Sequence, residues 1–178
     1  MVPDRVAAAV DALPLTPSSA VLEIGGGSGA AAQLVLARLG AGGSYVSVDR
    51  SEVAERRTRQ RCTDVGSAAR WEVVRGAIED VVAELPDHAY DVVFAVNVNV
   101  FWTTDASALS AQLRRVLRRG GSLWLFYETP SGSVGPKAAD GVVRSLSGGG
   151  FSTMTTLAPR ARLAAFAAAV DDSPITKQ

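Results

Sequence analysis

The chain is 178 residues long, 47% hydrophobic and 20% charged, and its 18 basic and 18 acidic side chains cancel. This is too apolar for disorder and long enough for one domain with a substantial core, while the neutral balance excludes a bulk electrostatic drive toward nucleic acid or an anionic membrane. The lone Cys62 cannot form an internal disulfide, no run reaches the roughly 20 apolar residues of a membrane span, and Pro3, Asp4, Asp11 and Pro14 interrupt any signal-peptide core. A cytoplasmic protein with no membrane insertion and no nucleic-acid partner is expected.

Val6, Val10 and Leu13 recur at i, i+4 and i+7 and predict a short amphipathic helix before Pro14. A strand over Ala20–Ile24 then stops at Gly25, Gly26, Gly27, Ser28 and Gly29. A helix over Ser28–Leu39 closes at Gly40, and a second strand, Ser44–Val48, ends at Asp49. Ser51 suits the N-cap of a helix running to about Asp64. Arg70–Val74 is a third strand, Ile78–Glu84 a short helix, and the nearly all-apolar Tyr90–Val96 a fourth strand covered on both faces. A helix over Asp105–Leu117 breaks by Gly120-Gly121 before a fifth strand, Ser122–Tyr127. Pro136–Leu146 opens a helix with a favourable first-turn proline, and Phe151–Leu157 is a Thr-rich strand. Arg162–Val170 fits a strand or an Ala-rich helix, and propensity favours the helix.

Strand and helix alternate five times with short connections, which predicts an α/β, doubly wound, mostly parallel sheet with helices on both faces. One domain over 1–170 and a polar, flexible tail over 171–178 are expected. Ligands of such sheets sit beyond the carboxyl ends of the strands, where the glycine loop and Asp49 stand. Glycines remove the Cβ atoms that would keep a nucleotide-like ligand off the backbone, and an acid about twenty residues on suits bidentate hydrogen bonding to ribose hydroxyls.

Glycine spacing alone leaves two ligands open, since Gly25-x-Gly27-x-x-Ala30 also passes as a dinucleotide fingerprint. Glu23, inside the first strand, tips the balance. A carboxylate there repels a pyrophosphate and tolerates a cationic amino-acid or sulfonium group.

Val21-Leu22-Glu23-Ile24-Gly25-Gly26-Gly27-Ser28-Gly29 resembles motif I of the class I S-adenosylmethionine-dependent methyltransferases. The likeness continues in register through Val46–Asp49, the loop from Val73 to Asp80, Tyr90–Asn97, and Leu113–Leu123, which is similar to the "LRRVLRPGG" segment of that family. It covers about residues 20–128 and implies a seven-stranded sheet whose last strand is antiparallel. It also implies S-adenosylmethionine as methyl donor, S-adenosylhomocysteine as product, and a small-molecule acceptor. Homodimerisation stays open.

By the same resemblance, Gly25, Gly27 and Gly29 pass under the methionine portion, Gly26 belongs to the same cofactor-binding loop, and Glu23 supports the loop and the amino end. Asp49 holds the ribose, Arg50 flanks the adenine, and Gly76, Ala77 and Ile78 border the ring. Asn97 faces the methionine moiety. Many relatives carry an acid where Ala77 stands, so the adenine amino contact must come from elsewhere. The acceptor pocket is expected from Asn99, Phe101, Trp102 and Tyr127 with the Thr129–Gly135 loop, although Phe101 and Trp102 equally suit a sealed core.

Methyl transfer from a sulfonium needs chiefly in-line alignment, which removes about 7–11 kcal/mol of barrier. A general base is needed only for some acceptors, and Glu128 is the weak candidate. His88 lies at the opposite end of the sheet, and no metal constellation is visible. Arg56, Arg57, Arg59 and Arg61 wrap a helix and suit a solvated surface, while Arg114, Arg115, Arg118 and Arg119 suit the negative end of a helix dipole. The competing functions are a nicotinamide-dinucleotide-binding module or oxidoreductase, weakened by Glu23, and a catalytically silent S-adenosylmethionine-binding protein.

Overall fold

A computed structural model describes residues 2–130 and 134–170. The expected C-terminal tail and the middle of the Thr129–Gly135 loop lie outside the described residues. The chain runs α1 (Asp4–Ala12), β1 (Ala20–Ile24), α2 (Ala30–Leu36), β2 (Ser44–Asp49), α3 (Glu52–Val65), β3 (Arg70–Arg75) and α4 (Ile78–Glu84). It continues with β4 (Tyr90–Val96), α5 (Val100–Thr103), α6 (Ser107–Val116), β5 (Leu117–Glu128), α7 (Pro136–Gly148), β6 (Thr153–Arg160) and β7 (Leu163–Ala169).

The described strands form one seven-stranded sheet in the order β3-β2-β1-β4-β5-β7-β6. Strands β1 to β5 are mutually parallel, and β7 runs antiparallel to both β5 and β6. The chain thus moves outward from β1 to β3 and returns to β4 on the other side of β1. That reversal places a crevice at the carboxyl ends of β1, β2 and β4.

Strand alternation divides the core between the two faces. Leu22, Ile24, Val48, Val93, Leu123 and Leu125 pack with α4, α6 and α7. Val21, Tyr45, Phe94, Trp124 and Phe126 pack with α1, α2 and α3. No helix among the described residues is long and apolar enough to cross a membrane.

Several boundaries move for physical reasons. Gly29 adopts φ +72° and caps α2, so that helix starts at Ala30 rather than Ser28. Within the segment expected at Arg162–Val170, Leu163–Ala169 is strand, as the resemblance implies and against its helical propensity. Leu163–Ala169 is buried along its whole length between β5 and β6, where alanines form a close-packed ladder. Burial and pairing override intrinsic preference there.

The arginine expectations hold in part: Arg56, Arg57 and Arg59 are exposed, and Arg114 and Arg115 lie in the last turn of α6. Arg59 pairs with Glu55 and hydrogen-bonds the Val73 carbonyl, while Arg61 donates to the Ser28 carbonyl at 3.0 Å and to Gln33 at 2.7 Å. Both tie α3 to its neighbours, Arg59 from an exposed position. Helix α6 ends at Val116, so Arg118 and Arg119 belong to β5. Arg118 pairs with Asp91 at 2.9 Å, and Arg115 caps α4 through the carbonyls of Val82 and Leu85.

Candidate functional site

A cavity of about 520 Å³ opens at the predicted crevice, within the range of small-molecule sites. Ile24, Gly25, Val48 and Asp49 form one wall, and Arg50, Gly76, Ile78 and Glu79 lie toward β3. Val98, Asn99, Val100, Thr103 and Thr104 complete it beside β4.

The wall at β1 and β2 is main chain tied down by one carboxylate. Asp49 Oδ2 accepts from the Gly27 N–H at 2.9 Å, and Oδ1 accepts from the Ser51 N–H at 2.9 Å. Each oxygen keeps a further lone pair for a ligand hydroxyl. Gly25 stands at φ +78°, and a Cβ there would come within 2.8 Å of Val98 Cγ2. Gly26 packs against Ser47 Oγ beneath the loop, so it supports the turn from below. Gly27 and Gly29 also lie at positive φ, 56° and 72°. The loop shape therefore requires glycine at these positions.

Glu23 is placed differently from the expectation. It shares a face with Val21, so it points into the α2/α3 layer and is 3% exposed. Tyr45 Oη donates to its carboxylate, Ser47 Oγ lies 3.5 Å away, and Thr58 Oγ1 is buried nearby without a hydrogen-bond partner. Burial is the largest cause that pushes its pKa from 4.5 to about 7, opposed by the Tyr45 and Ser47 hydrogen bonds and assisted by Asp49. Burial, and then the Glu23 charge, push the Tyr45 hydroxyl upward. Glu23 is thus a buried group beneath the loop, not part of the cavity wall. The electrostatic contrast between sulfonium and pyrophosphate loses its premise, because that contrast needs a carboxylate that faces the ligand.

Asn97 is at φ +57°, a conformation asparagine tolerates, and its Oδ1 accepts from the Glu128 N–H at 2.8 Å. It fixes the turn after β4 to the end of β5, and the cavity wall begins at the next residue, Val98. Tyr127 is buried and donates from Oη to the Val98 carbonyl at 3.1 Å. Both residues position the wall rather than line it.

Phe101 is wholly enclosed in the core shared with α6 and α7, so the sealing role, not the pocket-wall role, describes it. Trp102 is half-buried beside α7, and its Nε1–H points to Asn99 Oδ1 at 3.3 Å. Asn99 does line the cavity. Ala77 lies outside the lining set, whereas Gly76 and Ile78 on either side belong to it. Glu128 forms an exposed ion pair with Arg5 at 3.4 Å, outside the cavity lining. His88 sits before β4, at the opposite end of the sheet, with Nδ1 3.1 Å from the Leu117 carbonyl.

Sequence reasoning missed the one-turn helix α5, which brings Val100, Thr103 and Thr104 to the cavity, and it missed Glu79. A four-residue helix carries too little periodicity to register. Glu79 had a usable signal, since it follows the third strand's glycine by three residues.

The family described as "Methyltransferase domain" matches residues 21–121. A protein of Mycobacterium sp. (strain KMS) that carries an O-methyltransferase name is 28% identical over 127 residues, 71% of this chain and 56% of that protein. The chain therefore spans little more than half the length of that relative. Among solved structures, a Methanococcus maripaludis protein that carries an S-adenosyl-L-methionine-dependent methyltransferase name superposes with a TM-score of 0.75 at 14% identity, covering 97% of this chain and 87% of that one. A SAM-dependent methyltransferase of Aquifex aeolicus superposes with a TM-score of 0.66 at 18% identity, covering 86% and 83%. At such identities the superpositions establish a shared fold.

Proposed function

The chain belongs to the methyltransferase-domain family matched over residues 21–121, and from that premise we propose that it binds S-adenosylmethionine and transfers its methyl group to a small-molecule acceptor. One observation carries the binding: Asp49 stands at the end of β2 with a lone pair free on each oxygen, beside glycines that leave the backbone bare. The residues fit a nucleoside with an amino-acid tail. Asp49 takes the ribose hydroxyls, Gly25 and Gly27 pass under the tail, and Gly76 and Ile78 border the base. The name of the Mycobacterium relative supports oxygen as the accepting atom.

The donor supplies an activated methyl on a good leaving group. This chain's contribution is alignment. Asn97 and Tyr127 brace the turn whose Val98 side chain stands over Gly25, and Val100, Thr103 and Thr104 narrow the space beside it. Such a wall orients an acceptor and excludes water, which is where effective molarity arises. A cytoplasmic setting and a small acceptor remain parts of this proposal.

Isothermal titration with S-adenosylmethionine, S-adenosylhomocysteine and NAD tests the reading. Binding of the first two with no heat from NAD supports it, and binding of NAD alone overturns it. Transfer of a labelled methyl to an acceptor then separates an enzyme from a silent binder.

A further inference from the structure

The glycine loop is pinned from two sides, one facing the cavity and one facing away from it. On the cavity side, Asp49 Oδ2 accepts from the Gly27 N–H at 2.9 Å. On the other side runs α3, which is capped by Ser51 beside the same Asp49 and crosses behind the loop. A Cβ at Gly29 would meet the Thr58 backbone at 2.8 Å and Arg61 Cδ at 3.2 Å, so helix and loop lie in direct contact.

Arg61 gives that contact a direction. Its Nε donates to the Ser28 carbonyl at 3.0 Å, and its Nη1 donates at 2.7 Å to Gln33 Oε1 in the first turn of α2. The rigid, planar guanidinium therefore holds the loop carbonyl and the following helix in one fixed relation. In a trans peptide the N–H points away from the C=O. Holding the Ser28 carbonyl toward α3 thus turns the Gly29 N–H inward, where it donates to the Gly26 carbonyl at 2.9 Å and closes the turn. Arg61 is outside the cavity lining, so it acts on a ligand only through the loop.

We infer that Arg61 is a positioning residue, a latch from α3 that keeps the glycine loop in the shape that receives the amino-acid tail of the cofactor. This rests on the cofactor reading and extends it to a residue remote from the ligand. The ribose has its own anchor in Asp49, so the latch governs the tail and not the nucleoside.

Titration of the whole chain with S-adenosylhomocysteine and with adenosine, which lacks the tail, separates the two. Arg61→Met is expected to weaken S-adenosylhomocysteine roughly tenfold, the scale of one hydrogen bond to a charged group, and to weaken adenosine less than about twofold. Arg61→Lys keeps a donor for the Ser28 carbonyl and recovers at least part of that loss. General damage to the fold would weaken both ligands alike, and Arg61→Gln makes the same comparison should Arg61→Met not fold. Equal weakening of the two ligands, an unchanged S-adenosylhomocysteine affinity, or no recovery in Arg61→Lys overturns the latch and leaves the cofactor reading intact. Failure of the wild-type protein to bind either ligand overturns both.

Discussion

At the ends of β1 and β2 the cavity wall is main chain held by a single carboxylate, whereas beside β4 it consists of aliphatic, amide and hydroxyl side chains on a braced turn and one turn of helix. The first region tolerates almost no substitution, because Gly25, Gly27 and Gly29 occupy positive φ and a Cβ at Gly29 would meet the Thr58 backbone at 2.8 Å. The second keeps its frame through Asn97, Tyr127 and Phe101 but presents side chains that can change without disturbing that frame. A fixed cradle next to a variable wall is what a common ligand and a changeable acceptor require.

That contrast breaks most visibly at Phe101. If it belongs to the frame, Phe101→Ala lowers stability by about 3–5 kcal/mol through the cavity it leaves, while S-adenosylhomocysteine affinity below the unfolding transition is unchanged. Chemical denaturation and titration measure both. Asp49→Ala attacks the cradle instead. It removes a charge-assisted anchor and is expected to weaken S-adenosylhomocysteine roughly a hundredfold, with a far smaller effect on unfolding.

Glu23 sharpens the same comparison from beneath the loop. Its pKa is raised in the folded protein, from 4.5 to about 7, so the folded state holds the proton more tightly than the unfolded chain. The stabilisation is fully present below pH 4.5 and is lost as pH rises through about 7. Denaturation curves should show a loss of order 3 kcal/mol across that window. Glu23→Gln should flatten it, and a slope that survives the substitution would assign the proton to another group. The smallest effect is expected at the rim: Arg5→Ala removes an exposed ion pair with Glu128 and shifts stability by no more than about 1 kcal/mol.

The same physics decides what could be read from the sequence. Strand limits at Ala20–Ile24 and Tyr90–Val96 and the helix Ile78–Glu84 are those expected, since apolar runs punctuated by glycine and proline leave few alternatives. Gly25, Asp49, Arg50, Gly76, Ile78 and Asn99 do line the cavity, because strand ends and conformationally demanding glycines fix where backbone goes. Side-chain direction is less legible. Whether Glu23 faces the loop or the layer beneath depends on which face of β1 meets α2, and whether Phe101 lines a pocket or fills a core depends on how α5 leans on α7. Neither choice is local. Leu163–Ala169 shows the limit from the other side, where seven residues rich in alanine become a strand only because β5 and β6 stand ready to pair with them.

Binding of S-adenosylmethionine turns on the glycine loop and Asp49, which would hold its amino-acid tail and ribose. A crystal structure with S-adenosylhomocysteine tests it most directly. Both ribose hydroxyls are expected on the Asp49 carboxylate, the tail along Gly25 and Gly27, and the base beside Ile78. A ligand bound with its ribose away from Asp49, or a loop closed by Val98 over Gly25 that admits no tail, would contradict it.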